Sequence, residues 1–586
     1  MSEIRAGETY LLVDIGRVLT HAAYIAPVEG TARLVALAQT STTHTTTEAG
    51  LLEGVRLAAA NLEAIVGRRL MDAAGDLKRP CDADGHGVDG AVLTTSLAPT
   101  LRVALVGLTR DFSLESAIRA ATLPYVSLVR TISLEDSTRR WETKDLQALV
   151  EEPPDVTLLV GGVDGGPIAP IRDLGEALSA AYSVLPANAR PVIIYAGNAQ
   201  AVRPLIASFT GVATLRIVPN VRPTPHTENL EELRNELARL FQSRELARSE
   251  QLRAVSQWAG INVTYDLDAA ARTLRFAARR HGLFRGILGV DVGGSGTRVI
   301  LVRPEGAALT WATPYGTGTG VSALRRLSDP MTVLRWMCHP LSWAEVWDRL
   351  SNVEVRPAGV PQSPEDWDLQ QATVREALHA SWLEAQAAWA RHAGDDSVAA
   401  GVDMVVAQGT ALSHARTPGQ AALTLIDALQ PTGLLRLSLD WANLLPGLAG
   451  LAQLNPRAGV EVFDNDALLE LGTLVAPAGL ARPGPAAVRA SLTVHGEKRS
   501  EVAVPAGSIR CLPLGVNELG RLELSLAPGL NLDDGKRGRS HVFQVRGGEL
   551  GVVIDARGRP LMLPDEEAKR REAVAGWQRE IDEHES

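Results

Sequence analysis

The chain has 586 residues, of which 45% are hydrophobic and 22% are charged, and its formal net charge at pH 7 is −10. This length predicts several domains of about 150 residues each, and the acidic balance argues against a nucleic-acid partner. The three cysteines, Cys81, Cys338 and Cys511, are too far apart to suggest a disulfide framework or a zinc site. The first residues lack the apolar core of a signal peptide, and no apolar run reaches the length of a membrane span. We therefore expect a cytoplasmic protein with no membrane association.

The first predicted element is a hairpin of two half-buried strands over residues 10–25. Its first strand runs into Asp14, its turn contains Gly16, and Thr20 follows before the second strand. An aspartate at the end of a strand, beside a turn that contains glycine, is suited to hold a water or a Mg²⁺ next to an anion. This hairpin is a weaker copy of a second one in the middle of the chain.

A third strand, a threonine-rich loop and a helix to about residue 66 follow, and the chain then enters the polar loop 81–90. The acidic and histidine side chains of this loop suggest a metal loop, but the glutamate that would close a calcium hand is missing. We interpret the loop as a solvated one. The residues with metal-ligand character are Asp82, Asp84, His86 and Asp89.

From residue 90 to 218, short apolar runs alternate with helical patterns, which predicts βαβ units on a parallel sheet. Two of the predicted strands end in glycine-rich loops, 161–166 and 196–198. Because ligands of open α/β sheets lie beyond the carboxyl ends of the strands, both loops are candidate walls of a cleft. The glycines equally fit tight strand-to-helix turns, and the sequence leaves both interpretations open. Residues 226–285 then predict a helical connector.

The central hairpin, residues 286–302, is the strongest motif in the chain. A short apolar run reaches Asp291, and a glycine-rich turn leads into a second apolar run. Backbone N–H groups of such a turn can approach an anion closely because no Cβ is in the way. The candidate phosphate-binding residues are Gly293, Gly294, Ser295, Gly296 and Thr297. An ordinary glycine-rich turn is the alternative, but the copy at Asp14 favours a phosphate-binding pair.

The rest of the second half predicts a helical block over residues 330–393, with six tryptophans whose spacing suggests core packing. A strand then leads into the turn 408–414, where an actin-like domain would place its adenosine contact at Gly409. Beyond residue 482, short strands separated by glycines predict a small β-rich unit and a charged terminal helix. We assign that unit an interaction or oligomerisation role, so a homo-oligomer is possible.

With these motifs in place, the chain resembles the accessory proteins of adenosylcobalamin-dependent glutamate mutase, the MutL family, which is distinct from mismatch-repair MutL. The resemblance covers about residues 8–480 and depends on motifs in matching order: the two hairpins at Asp14 and Asp291, residues 156–166 and 191–198, and the turn that ends at His414. It implies an α/β, two-domain actin-like (ribonuclease H-like) ATPase fold with a helical connector and a small C-terminal all-β domain. The corresponding boundaries are 1–225, 226–285, 286–481 and 482–586.

The resemblance also implies ATP and Mg²⁺ as cofactors, and a subunit of a cobalamin-dependent mutase as partner. Asp14 and Asp291 would be the catalytic carboxylates and would hold Mg²⁺ through water. The phosphates would contact Gly16, Thr20 and the second turn, and Gly409 would lie near the adenine. The implied role is a chaperone or reactivating factor that uses ATP to loosen a mutase.

Two departures from the family pattern bear on hydrolysis. The first hairpin usually offers a small hydroxyl and a lysine where this chain has Arg17 and His21, and the adenosine turn has only Gly409. A buried hydroxyl beside the phosphates that is lost and not replaced costs about 1–3 kcal/mol, although Arg17 can pair with a phosphate directly. A non-hydrolysing scaffold and a small-molecule kinase that uses Asp164 are the alternative functions.

Overall fold

The computed structural model describes residues 8–582, except for residues 44–49, 98–99, 122, 124, 137–142, 242, 245–248, 306–307, 328–329, 394–400, 483–485 and 533–539. The first half contains, in chain order, β1 (Tyr10–Ile15), β2 (Leu19–Val28), β3 (Thr31–Ser41), α1 (Leu51–Val66), β4 (Gly90–Thr95), β5 (Leu101–Gly107), α2 (Glu115–Ala121), β6 (Val126–Ser133), α3 (Thr143–Glu151), β7 (Val156–Val160), α4 (Ala169–Ser183), β8 (Val192–Tyr195), α5 (Val202–Phe209), β9 (Leu215–Ile217), α6 (Glu231–Phe241), α7 (Glu250–Ala259), β10 (Val263–Tyr265) and α8 (Asp266–Arg280).

The second half contains β11 (Ile287–Val292), β12 (Thr297–Val302), β13 (Leu309–Thr313), α9 (Val321–Leu327), α10 (Pro330–Leu334), α11 (Trp343–Val355), α12 (Pro364–Ala393), β14 (Met404–Gln408), α13 (Thr410–Ser413), α14 (Pro418–Leu429), β15 (Gly433–Leu439), α15 (Leu445–Leu454), α16 (Pro456–Val462), β16 (Leu469–Ala476) and β17 (Ala478–Gly479). The remaining elements are β18 (Val488–Val494), β19 (Glu497–Val504), β20 (Ile509–Leu512), β21 (Leu519–Leu526), β22 (Leu530–Asn531), β23 (Ser540–Arg546), β24 (Val552–Asp555) and α17 (Glu567–Asp582).

Two sheets of the molecule repeat one topology. The first has the order β10-β4-β1-β2-β3, and the second contains the same arrangement as β15-β14-β11-β12-β13. In both, the hairpin and its third strand are antiparallel, while the two following strands are parallel to the first strand. The hairpins also share their register, because Asp14 is paired with His21 and Asp291 with Arg298. This duplication confirms the two-domain actin-like fold that the sequence predicts.

Each five-stranded repeat packs against the helix that follows the last strand of the other repeat, which is β10 in the first and β15 in the second. In α8, Leu274 lies against β11 so closely that a Cβ on Gly289 would be 2.4 Å from its Cδ1. In α15, Gly450 lies against Val92 of β4 in the same way, also at 2.4 Å. The two helices meet where the Thr273 hydroxyl donates to the Leu445 carbonyl at 2.8 Å. This exchange fixes the two halves with their hairpin loops facing each other. Because α8 lies on the second sheet, the segment 226–285 does more than connect the halves.

Two further sheets complete the fold. An all-parallel sheet with the order β6-β5-β7-β8-β9 is inserted between β4 and β10, as the alternation of the sequence predicts. An antiparallel sheet, β19-β18-β21-β23, follows residue 482. Two strands of that region, β20 and β24, instead extend the second sheet through β16. The terminal helix packs into the same core, where the Trp577 indole N–H donates to the Gly507 carbonyl at 2.9 Å.

The six tryptophans of the helical block differ in their burial. Trp336 and Trp389 are buried, as their spacing predicts, whereas Trp347 is 40% exposed and has the Arg325 guanidinium over its ring. Within the described residues, none of the helices combines the length and the apolar character that a membrane span requires.

Candidate functional site

The two predicted hairpin loops are in contact. A Cβ on Gly294 would lie only 2.6 Å from Cγ2 of Val18, which belongs to the first hairpin. Beside this contact, a cavity of about 450 Å³ opens between the two halves. Seven of the predicted site residues line it: Asp14, Gly16, Asp291, Gly293, Gly294, Ser295 and Gly409. Two acidic turns that are far apart in the sequence therefore share one cavity.

The second hairpin loop lines this cavity with glycine and serine residues. Within the part of the chain that the structure describes, the N–H groups of Gly294 and Ser295 have no hydrogen-bond partner. The Gly293 N–H donates to the Gly296 carbonyl at 3.0 Å and closes the turn. Successive unpaired N–H groups in a tight turn form a concave site for an anion. This arrangement is what a phosphate group requires.

The loop that contains Thr317 and Gly318 is hydrogen-bonded to the second hairpin loop. The N–H groups of Thr317 and Gly318 donate to the carbonyls of Gly293 and Gly294, at 3.1 and 2.8 Å. These bonds use carbonyl groups of the hairpin loop and none of its N–H groups. Gly296 lies close to the end of β13, where a Cβ on Gly296 would be 2.4 Å from the Thr313 carbonyl oxygen.

Three predicted ligand residues do not line the cavity: Gly296, Thr20 and Thr297. The buried Thr297 hydroxyl donates to the Tyr315 carbonyl at 2.7 Å. The buried Thr20 hydroxyl is hydrogen-bonded to that of Thr42 at 3.0 Å. Both hydroxyls therefore hold the strands behind the loops. In the first loop, the Gly16 N–H donates to the Leu19 carbonyl, and the exposed Arg17 lines the cavity.

Three carboxylates surround one arginine at the base of the cavity. The Arg298 guanidinium contacts Asp266, and its Nη1 lies 3.2 Å from Oδ2 of Asp291. Asp14 completes the group and accepts a hydrogen bond from the Thr94 hydroxyl at 2.6 Å. The Arg298 side chain is 17% exposed and that of Asp266 is 4% exposed, so these charges are largely removed from water.

Burial is the largest influence on the pKa values of Asp14, Asp291 and Arg298. Desolvation and, secondly, the charge of the nearby Asp266 raise the pKa of Asp14 to about 7, against the hydrogen bond from Thr94. Desolvation also raises the pKa of Asp291, although Arg298 opposes the rise. For Arg298, burial alone would lower the pKa, but the surrounding carboxylates outweigh it and raise the pKa. Arg298 is therefore always protonated here.

Three residues of this region, Asp266, Arg298 and Asp440, lie in no motif that the sequence predicts as part of the site, although two of them share a position relative to the repeated strands. Asp266 directly follows β10 and Asp440 directly follows β15, and these strands occupy the same place in the two repeats. Asp440 is fully buried and accepts from Gln408 Nε2 at 3.0 Å and from the N–H groups of Leu444 and Leu445. Desolvation raises its pKa to about 7 despite these hydrogen bonds. An alignment of the two repeats would have identified both aspartates.

The third wall of the cavity is the predicted adenosine turn. Gly409 has φ +98°, and a Cβ there would lie 2.3 Å from the Val292 carbonyl oxygen and 2.8 Å from Oδ1 of Asp291. Only glycine fits this close approach of β14 to β11. His414, at the end of the turn, faces His21 of the first hairpin. Burial, and secondly His414, lower the pKa of His21 to about 4, so it is neutral at pH 7.

The cavity is also lined by α11, α12 and the loop between them. This wall is partly apolar and carries two arginines. It includes Arg349, Leu350, Val353, Arg356, Pro357, Trp367 and Leu369. A cavity that has both a partly apolar wall and unpaired backbone amides suits a ligand with an anionic and an aromatic part.

The carboxylates fit a hydrated metal ion better than a directly bound one. Among the described residues, no group of three or more His, Cys, Asp or Glu side chains is placed to hold a metal ion. However, Oδ1 of Asp266 is buried without a hydrogen-bond partner, and Asp14 and Asp291 line the cavity. Mg²⁺ commonly keeps several waters and binds through one or two carboxylates and substrate phosphates. Asp14 and Asp291 would hold it in this way.

The polar loop 81–90 and the two glycine loops of the inserted sheet are held by their own hydrogen bonds. Oδ1 of Asp82 accepts from the N–H groups of Asp84 and His86 at 3.0 and 2.8 Å. The Asn198 side chain donates to the Gly166 carbonyl at 2.9 Å and so joins the two glycine loops. These contacts hold the polar loop in a turn of its own, and in the two glycine loops they favour tight strand-to-helix turns over the walls of a cleft.

The duplicated sheets, the facing hairpins and the cavity between them define a protein of the actin-like ATPase fold. The chain belongs to the MutL protein family, whose family model matches residues 10–467. This is the family of glutamate mutase accessory proteins, not that of mismatch repair. Membership supports an accessory role for another enzyme. No curated protein matches the chain.

Several solved structures are similar at low identity. Nucleotide-free acetone carboxylase has a TM-score of 0.34 and 10% identity, over 85% of this chain and 81% of the other. Nucleotide-free diol dehydratase-reactivating factor has a TM-score of 0.28 and 10% identity, over 78% and 99%. Component A of (R)-2-hydroxyglutaryl-CoA dehydratase from Acidaminococcus fermentans has a TM-score of 0.24 and 10% identity, over 78% and 97%. Because these scores are low, we draw nothing about function from them.

Proposed function

We propose that the cavity binds ATP and that the protein is an ATP-dependent chaperone or reactivating factor for an adenosylcobalamin-dependent mutase. One observation carries the nucleotide part: two hairpin loops from separate halves meet at a cavity, and one of them lines it with residues whose backbone N–H groups are unpaired within the described part of the chain. Preorganised backbone donors bind phosphate without having to rearrange.

The geometry supports a definite orientation of the nucleotide. The amides of Gly294 and Ser295 and the Arg17 side chain would contact the phosphates, close to Gly16. Mg²⁺, brought by the triphosphate, would contact Asp14 and Asp291 through its waters. Gly409 and the apolar wall of α11 and α12 would enclose the nucleoside. Thr20, Gly296 and Thr297 would act indirectly, by holding the loops in place.

The partner follows from the family and not from the cavity. Membership of the glutamate mutase accessory family supports a cobalamin-dependent mutase subunit as the protein that this chain serves. Since the nucleotide would contact both halves, hydrolysis would change how they fit together. That change would loosen the mutase and let a damaged cofactor leave.

A non-hydrolysing scaffold remains the second candidate because Arg17 and His21 replace the hydroxyl and the lysine of the family's first hairpin. The kinase alternative is weaker. Oδ1 of its candidate base, Asp164, accepts hydrogen bonds from the Ala199 N–H at 2.9 Å and from the Asn220 side chain at 3.0 Å. Asp164 lies in the inserted sheet and does not line the cavity.

Nucleotide binding can be tested by thermal unfolding with and without Mg·ATP. At a hundredfold excess over Kd, the nucleotide should stabilise the wild type by about 2.7 kcal/mol. Gly294→Val should abolish this effect, because its Cβ would meet Val18 at 2.6 Å. Gly293→Ala is the matched control, since the nearest atom to its Cβ would be 3.3 Å away. An unchanged melting temperature of the wild type would refute nucleotide binding and leave the scaffold.

The chaperone role requires a mutase. Adding a cobalamin-dependent mutase that carries inactivated cofactor should raise the ATPase rate and restore mutase activity. ATP binding without such stimulation would favour the scaffold. ADP release that depends on a sugar or an acid acceptor would instead favour the kinase.

A further inference from the structure

Arg298 occupies a place in the site where a bound cation would be expected. Its guanidinium contacts Asp266 and Asp291, and its charge also acts on Asp14. Two of these carboxylates come from the first half of the chain and one from the second. Arg298 therefore joins the halves below the cavity in the way that a metal ion bridges carboxylates of two domains.

The first repeat has no equivalent cation at the same position of its hairpin. His21 holds the register position of Arg298, but burial keeps it neutral at pH 7. Arg17, in the turn of that hairpin, is exposed to solvent. The charge of the three carboxylates is thus balanced from the second half, by Arg298.

The chemistry of arginine suits this role. The guanidinium is always protonated, and its five N–H donors are arranged in a rigid fork that can contact several carboxylates at once. One acceptor of the group stays unsatisfied, because Oδ1 of Asp266 is buried in the cavity wall and has no hydrogen-bond partner. Without the arginine, three largely buried carboxylates would remain uncompensated, which is strongly unfavourable.

We propose that Arg298 is a positioning residue that acts as the built-in cation of this site, in the place of a metal ion between Asp14, Asp266 and Asp291. The carboxylates therefore do not recruit a divalent cation by themselves, and the triphosphate meets a cavity whose acidic charge is already partly neutralised. The consequence for nucleotides rests on the proposed function. The consequence for metal ions does not.

The decisive measurement contains Mg²⁺ and no nucleotide. In the wild type, millimolar MgCl₂ should leave the melting temperature where it is in EDTA. Arg298→Met keeps the length of the side chain and removes its charge. The variant should have a lower melting temperature in EDTA and should regain about 3 °C when Mg²⁺ occupies the vacated place. Arg298→Lys should behave like the wild type, because it keeps a cation.

The matched control is Arg349→Met, which removes another arginine of the cavity wall. Arg349 contacts Asp366 and not the three carboxylates, so this variant should show no response to Mg²⁺. A response of the wild type as large as that of Arg298→Met would overturn the proposal, as would an Arg298→Met variant that Mg²⁺ does not stabilise.

A second measurement covers the case in which Arg298→Met does not fold. Mn²⁺ titrated into the wild-type protein and followed by electron paramagnetic resonance should show no binding that Asp14→Asn removes, and such binding would overturn the proposal. Isothermal titration with ADP then tests the nucleotide consequence. The wild-type Kd should change by less than about tenfold between Mg²⁺ and EDTA, whereas a larger loss in EDTA would refute it. Absence of ADP binding in both conditions would refute the proposed function and leave the metal result standing.

Discussion

The two hairpins of this protein have the same strands and different turns. Asp14 and Asp291 occupy equivalent positions, in equivalent sheets, with the same strand register. The second turn offers backbone amides and carries Arg298 behind it, whereas the first offers the Arg17 side chain and a neutral His21. The comparison shows that strand pairing preserves a duplicated fold while the turns and their charges diverge. The second hairpin is the better preorganised of the two for an anion.

The largest expected effect tests how tightly the second turn is held. Gly296→Ala would place a Cβ 2.4 Å from the Thr313 carbonyl oxygen, which is backbone and cannot move aside. We expect the free energy of unfolding to fall by about 3 kcal/mol, measured by urea denaturation. Gly293→Ala, in the same turn, should cost less than about 1 kcal/mol, because its nearest neighbour is 3.3 Å away. Equal losses of stability in the two variants would show that the close contact with the Thr313 carbonyl does not fix this turn.

The next largest effect is a difference between Asp14 and Asp291 in how the stability of the protein depends on pH. Burial raises the pKa of Asp14 to about 7 from 3.8, so the folded protein holds this proton more tightly than the unfolded chain does. Ionisation of Asp14 therefore costs stability as the pH rises from about 4 to 7, and the cost is complete above that range. Asp14→Asn should become more stable relative to the wild type by roughly 2–4 kcal/mol across this window.

The matched variant in the other hairpin is Asp291→Asn. It removes the partner that lies 3.2 Å from Arg298, so the loss of that ion pair should offset the relief from ionisation. Urea denaturation at several pH values measures both variants. The same gain in both would contradict the difference in charge between the two hairpins.

The smallest expected effect concerns two threonines at equivalent positions of the two hairpins. Thr20→Val and Thr297→Val each remove one buried hydroxyl that is hydrogen-bonded within its own half. Each should lower the free energy of unfolding by about 1 kcal/mol and leave the Kd for nucleotide unchanged. Isothermal titration would check the second point. Weaker nucleotide binding by either variant would indicate that its hydroxyl contacts the phosphates after all.

Much of the fold could be predicted because its signals are local. The apolar runs around Asp14 and Asp291 and the alternation over residues 90–218 reflect burial of strands and helices at their own periodicities. The Asp-x-Gly turns marked two sites by residue type alone. Their meeting at one cavity was inferred from the duplication and not from any single motif.

The charges at the base of the cavity could not be predicted in this way. Asp266 lies in a segment that the sequence analysis treated as a connector, and Arg298 reads as one polar residue in an apolar strand. They meet only because α8 of the first half packs against the second sheet. Nothing in the sequence around either residue specifies that contact.

The sequence by itself determined the repeated strand pattern, the two acidic turns and the glycines that allow close backbone approach, because these depend on neighbouring residues and backbone sterics. The tertiary structure decided which charges share the cavity and which predicted hydroxyls face away from it. The physical reason is that ion pairs and desolvation depend on how distant segments dock.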